Sequence, residues 1–155
     1  MNLYLMQHAD AVDDSVDPER PLSDTGRAAI ESVARFAGKQ LNLEVLAVTH
    51  SGKLRAKQTA EILFRHIACL QGVVPVKDLE PNAHPGIWQE RLALMEDDVV
   101  LVGHLPHLAS LAGLLLCGDP DASPVEFKNA GLVCLHKHGN AWSLRWAITP
   151  DMLPE

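Results

Sequence analysis

No run of this chain is apolar for long enough to cross a bilayer. The longest candidate, Leu108 to Cys117, is broken by Ser110 and Gly113 and falls short of the roughly 18 residues a span requires. Positive charge is scarce as well. Thirteen Lys and Arg against twenty Asp and Glu leave a formal net charge of −7, the wrong sign for a general nucleic-acid binder or a protein lying on an anionic membrane. No basic flank precedes a hydrophobic run at the N-terminus, so no signal peptide is expected. Cysteine is limited to Cys69, Cys117 and Cys134, widely spaced in apolar segments and without a Cys-x-x-Cys. An odd count with no paired spacing predicts buried free thiols in a reducing compartment, the cytoplasm, rather than disulfides, a zinc site or a redox motif. Repeats, linkers and low-complexity segments are also missing. At 155 residues, 47% hydrophobic and 21% charged, the composition is that of one globular domain over 1–155, long enough to bury about 70% of its unfolded surface.

What is present alternates between strand and helix signals. Asn2 to Met6, Val45 to Val48 and Asp98 to Val102 are short apolar runs that read as buried strands. Ser23, Asp24 and Thr25 offer capping groups ahead of a helix in which Ile30, Val33, Ala34, Ala37 and Leu41 recur at helical spacing. A second helix is expected from Gly52 to about Leu70, striped by Ile62, Leu63, Ile67 and Leu70. A shorter one is expected over Ile87 to Met95, and an apolar one over Pro106 to Leu116, with its proline in the first turn. Val73 to Val76 contains Pro75 and reads as an edge strand. Beyond Gly118, Gly131 to Lys137 and Trp142 to Thr149 alternate about a His-Gly-Asn-Ala turn, a hairpin signal. The sum predicts an α/β sandwich around a mostly parallel sheet with antiparallel additions. Trp88, Trp142 and Trp146 read as packing residues.

Three apolar strands stop abruptly in polar stretches, at Gln7 to Asp10, His50 to Arg55 and Gly103 to His107. Ligand sites of open α/β sheets gather beyond the carboxyl ends of the strands, so parallel pairing would bring His8, Arg55 and His104 to one rim. An arginine in the first turn of a helix adds a cation where the helix end is already positive. That placement makes sense when an anion sits between the guanidinium and the free N–H groups. A neutral imidazole can accept a phosphoryl group, and phosphoryl transfer otherwise needs in-line positioning and positive donors around the equatorial oxygens. The residues therefore predict a phosphate site, with His104 helping most when protonated.

The same segments carry a family resemblance. Leu3 to Ala11, LYLMQHADA, resembles the opening strand and Arg-His-Gly/Ala signature of the histidine phosphatase superfamily. Glu19 to Gly26, ERPLSDTG, resembles its Arg-Pro-Leu-Thr-x-x-Gly segment, and Ser51 to Ala60, SGKLRAKQTA, its Ser-Pro-x-x-Arg-Ala-x-Gln-Thr-Ala block. Val102 to His107, VGHLPH, is similar to the late Gly-His-x-Pro block. The short length and the Leu-Glu-Pro at 79–81 are similar to the compact SixA-type phosphohistidine phosphatases. The resemblance implies a three-layer α/β/α sandwich with a mixed, mostly parallel sheet, His8 as the residue that becomes phosphorylated, and no metal or other cofactor. It implies that Arg55 and His104 bind the phosphoryl group, with Gln7, Arg20 and Ser51 at matching pocket positions. The implied substrate is a phosphohistidine-bearing protein, in signal transduction, or a small phosphoester.

Two positions depart from the pattern. Gly52 stands for the proline, an exchange expected to be harmless because either residue can open a helix. Gln7 stands for the arginine before the nucleophile. It offers amide protons but no charge, and one charged hydrogen bond is worth roughly 1.5–3 kcal/mol; Lys53 or Arg20 could compensate. No general acid is evident: Asp10 and Glu80 are the nearest carboxylates and read as solvated loop residues. A leaving imidazole needs less acid assistance than an alkoxide, which favours a phosphohistidine substrate. Two rivals accompany this reading. One is a non-catalytic module that binds phosphate or phosphohistidine, motivated by Gln7. The other is a metal-dependent hydrolase using His8, Asp10, His104 and His107, although His107, a turn beyond His104, reads equally as a helix-surface residue.

Overall fold

The computed structural model describes residues 1–154. In chain order the elements are β1 (Asn2–Gln7), α1 (Asp24–Lys39), β2 (Glu44–Val45), β3 (Ala47–His50), α2 (Leu54–Phe64), β4 (Ala68–Cys69) and β5 (Val73–Pro75). They continue as α3 (Pro85–Ala93), β6 (Val99–Gly103), α4 (His107–Cys117), β7 (Leu132–His138) and β8 (Ala141–Ile148). Six strands form one sheet in the order β5-β3-β6-β1-β7-β8, and β2 pairs separately with β4. The first four strands are parallel, whereas β7 runs antiparallel to β1 and β8 antiparallel to β7.

Pleating assigns the apolar runs to two cores. Tyr4 and Met6 of β1 join Val48, Val100 and Val102 against Ile30, Val33 and Ala34 of α1 and Ala60 and Leu63 of α2. Leu3 and Leu5 point the other way, with Val99 and Leu101, onto Trp88 and Leu92 of α3 and Leu108 and Leu111 of α4. Strands buried on both faces read as continuous apolar runs because every position needs a dry partner. The result is the three-layer α/β/α sandwich with a mixed, mostly parallel sheet. No helix among the described residues is long and apolar enough to cross a membrane.

The second helix departs most from expectation. It starts at Leu54, not Gly52, and ends at Phe64, so Ile67 and Leu70 do not belong to its stripe. The N–H groups of Ala68 and Leu70 bond to the carbonyls of Leu43 and Val45 instead of to the preceding turn, which makes β4. Leu70 is left 84% exposed. Gly52 opens no helix: its φ is +92°, which the proline ring cannot adopt. Its N–H also donates to His50 Nδ1 at 3.0 Å, a bond proline lacks, so the exchange is not neutral for the backbone. The thiols divide as well. Cys134 is buried and Cys69 half-buried, whereas Cys117 is exposed on the last turn of α4.

The start of α1 is docked onto the loop that follows β1. Ser23 caps the helix, accepting from the Gly26 N–H at 3.0 Å, and its own hydroxyl donates to Asp10 Oδ2 at 2.6 Å. Gly26 lies so close to this loop that a Cβ would stand 2.0 Å from the Asp10 carbonyl oxygen. Gly26→Ala should therefore destabilise the protein by about 1–3 kcal/mol, although alanine is the better helix former by about 1 kcal/mol. Urea unfolding of the two proteins gives the sign directly.

Candidate functional site

The carboxyl ends of β3, β6 and β1 lie side by side, and the polar stops come together there. Gln7 is in register with Gly103, and the His8 N–H donates to the Gly103 carbonyl at 3.0 Å. The rings of His8 and His104 consequently face each other with centroids 5.0 Å apart and planes inclined by 51°. Ser51, just past β3, meets the same corner: its Oγ is 2.6 Å from His104 Nε2. Arg55 occupies the second position of α2, a helix with no side-chain cap. Arg20 arrives from the long loop between β1 and α1, held at φ +52° with its Nε–H donating to the Val12 carbonyl at 3.0 Å.

His8 is held in one tautomer. Its Nδ1 lies 2.7 Å from the carbonyl oxygen of Ala9, and a carbonyl can only accept, so Nδ1 carries the proton and Nε2 keeps its lone pair. Burial, with Arg55 and Arg20 adding to it, holds the ring below its ordinary pKa against the opposing pull of the Ala9 bond and Asp10. A neutral imidazole with an available Nε2 is the consequence. His104 is pushed down to about 3, by burial first and then by His8, Arg55, Lys53 and His107. It therefore starts neutral, not in the protonated form in which it would help most. An arriving dianion would raise its affinity for a proton.

Buried polar atoms without a protein partner concentrate in this corner. Among the described residues they are Gln7 Oε1, Arg55 Nε, His104 Nδ1 and both ring nitrogens of His107. Each such atom carries a desolvation cost of about 1–3 kcal/mol, so their gathering at one rim makes this corner the candidate site. Arg55 makes no ion pair among the described residues. Burial, then Arg20, weakens its hold on its proton, yet a guanidinium remains charged at any physiological pH.

His107 is the main displacement. It is 1% exposed, not on the helix surface, because α4 begins with its first turn turned into the corner behind His104. Burial lowers its pKa, with Glu80 and Asp78 opposing. Asp10 and Glu80 are both exposed, and Asp10 is engaged by Ser23. Among the described residues, no three His, Cys, Asp or Glu side chains cluster at metal-binding spacing.

Three further residues hold the corner together. Gln58 Oε1 accepts from the Leu22 N–H at 2.8 Å. Thr59 Oγ1 accepts from the Ala9 N–H at 3.0 Å and donates to the Arg55 carbonyl at 2.7 Å. Asn129 Nδ2, from the loop before β7, donates to the His8 carbonyl at 2.9 Å. Gln58 and Thr59 lie inside the Arg-Ala-x-Gln-Thr-Ala block, so their presence was visible in the sequence but their task was not. Nothing in the sequence marks Asn129.

No model of a known protein family matches the chain. Among curated proteins, an uncharacterized protein of Picosynechococcus sp. is 34% identical over 144 residues, covering 87% of this chain and 84% of that one. The solved structure of the protein histidine phosphatase SixA complexed with tungstate superposes with a TM-score of 0.87 at 23% identity, over 98% of this chain and 99% of that one. A crystal structure of the putative phosphohistidine phosphatase SixA from Agrobacterium tumefaciens superposes with a TM-score of 0.74 at 25% identity, over 96% and 97% of the two chains. The fold is thus that of the histidine phosphatases, and the chain belongs to the same family as the Picosynechococcus protein.

Proposed function

We propose that this protein is a phosphohistidine phosphatase that works through a phosphohistidine formed on His8. The observation that carries this reading is the neutral His8 with a free Nε2 beside an arginine that has no counter-ion. The likeness to SixA structures, one of them holding a phosphate-like oxyanion, supports it.

The chemistry follows from the tautomer. Nε2 of His8 donates its electron pair to phosphorus as the bond from phosphorus to the departing ring nitrogen breaks. The departing imidazole, already protonated on its other nitrogen, leaves neutral. His8 then carries the phosphoryl group on Nε2 and the proton on Nδ1, still bound to the Ala9 carbonyl. Water attacks phosphorus, the electron pair returns to Nε2, and both water protons leave with the phosphate. One imidazole replaces another in the first step, so no strong acid is required, in keeping with the exposed positions of Asp10 and Glu80. Arg55 and Arg20 supply charge to the equatorial oxygens, and His104, Ser51 and the amide of Gln7 supply hydrogen bonds. Three free cysteines support a reducing compartment, the cytoplasm. The substrate is a phosphohistidine-bearing protein, with small phosphoesters as slower alternatives, and none of these steps calls for a metal.

Gln7 favours a second reading, a module that binds the phosphoryl group without turning it over. The two part on one assay. Incubation of the wild type with a phosphohistidine-bearing protein should release phosphate and leave an acid-labile phosphate on the enzyme, in the presence of chelator. Both should vanish in His8→Ala. Tight phosphate binding with no release would establish the module instead.

The pH dependence follows from the lowered pKa of His8. The active form is the neutral ring, so kcat/KM should stay flat as pH falls from 8 to about 6.5 and decline only below that. A decline that begins above 7 would mean that the nucleophile is not held neutral by its surroundings. Gln7→Arg adds a charged donor and should raise turnover by about tenfold or more. An unchanged rate would show that Arg20 and Lys53 already supply that charge.

A further inference from the structure

The Cα of His8 lies between two peptide planes, and both are pinned. In the first, the Gln7 carbonyl accepts from the Ala130 N–H at 2.9 Å and the His8 N–H donates to the Gly103 carbonyl at 3.0 Å. In the second, the His8 carbonyl accepts from Asn129 Nδ2 at 2.9 Å and the Ala9 N–H donates to Thr59 Oγ1 at 3.0 Å. Peptide units are rigid, so fixing both planes fixes φ and ψ at the Cα they share, and with them the direction of its Cα–Cβ bond. Asn129 and Ala130 are consecutive, so one short stretch, 121 residues along the chain from His8 at Asn129, holds the carbonyl of each plane. That stretch is itself constrained. Ala130 is fully buried with a φ of +63°, a left-handed conformation that neighbouring contacts must hold in a residue with a Cβ; the bond to Gln7 is one of them.

We propose that Asn129 is a positioning residue for phosphoryl transfer: its amide holds the carbonyl end of the His8–Ala9 peptide and so fixes the direction in which the backbone presents the His8 ring. The proposal rests on the phosphatase reading for its kinetic consequence, though not for its structural one. Thr59 holds the N–H end of the same plane. It is fully buried and donates in turn to the Arg55 carbonyl at 2.7 Å, so that end is anchored on α2. Without the Asn129 amide the His8 carbonyl is left with water and with the Ala130 N–H at 3.4 Å, which is already given to Gln7. The plane then rocks about its end at Thr59, ψ of His8 spreads, and the ring swings with the Cα–Cβ bond. In-line displacement tolerates little of this, because a misplacement of about 1 Å can cost about a hundredfold in rate.

The test compares wild type with Asn129→Ala by kinetics and by amide hydrogen exchange. The Asn129 side chain is exposed, so water takes up part of its task, and kcat should fall by about tenfold rather than the hundredfold of a full displacement. KM should change little, because Arg55 and His104 are untouched. Exchange reads the plane itself. In the wild type the Ala9 N–H should exchange as slowly as the amides of β1; in Asn129→Ala it should exchange at least about tenfold faster while those of β1 keep their rates. A change in KM alone would overturn the proposal, since Asn129 would then act on the substrate and not on His8. So would an Ala9 amide that is unaffected, or that loosens only in step with β1. A fast-exchanging Ala9 amide in the wild type would overturn it even if the variant did not fold. Exchange needs no substrate, so a wild type without turnover would count against the phosphatase reading while the Ala9 amide still judged Asn129.

Discussion

The hydrogen bond from His8 N–H to the Gly103 carbonyl extends the parallel ladder between β1 and β6 by one further rung, and the site depends on it. Parallel pairing in this register sets the end of β1 beside the end of β6, and β3 lies on the far side of β6. A one-residue slip would turn Tyr4 and Met6 toward the core that now takes Leu3 and Leu5, so the two hydrophobic cores police the register that places His8 against His104. Stability and chemistry are thus set by the same pairing.

Within that frame the electrostatics are unusual for what they leave unbalanced. The chain carries an excess of seven negative charges, yet no carboxylate pairs with Arg55 among the described residues. The acidic residues near the site are occupied or exposed: Asp10 is held by Ser23 and Glu80 lies in solvent. Two neutral imidazoles and a guanidinium without an ion pair among the described residues leave this corner with uncompensated positive charge. Gln7 adds a dipole rather than a further charge to this corner.

Much of the fold was legible in the sequence because strands buried on both faces have little freedom to look like anything else. β1, β6 and the β7–β8 hairpin fall where apolar runs and the Gly-Asn turn predict them. The boundaries of α2 were not legible. Ile67 and Leu70 continue its helical spacing, but the N–H groups of Ala68 and Leu70 find partners on Leu43 and Val45, a tertiary choice that periodicity does not register. At the site, His8, Arg55 and His104 were marked by the positions where strands stop. The burial of His107 was hidden because spacing reports which residues share a helix face, not which face a neighbouring loop has covered. Thr59 and Gln58 were hidden for another reason: their partners are backbone groups, which have no letter in the sequence.

The order of the sheet has a consequence for synthesis. β1 leaves the ribosome before both strands it pairs with and is an apolar strand buried along its length. Its two neighbours, β6 and β7, begin at residues 99 and 132, so the strand must wait until most of the chain has emerged before it can pair. At about 5–20 residues per second that delay lasts about 5–20 seconds, during which Asn2–Gln7 is an unpaired apolar segment. The segment that sets His8 in place is therefore also the segment most in need of chaperone cover at birth.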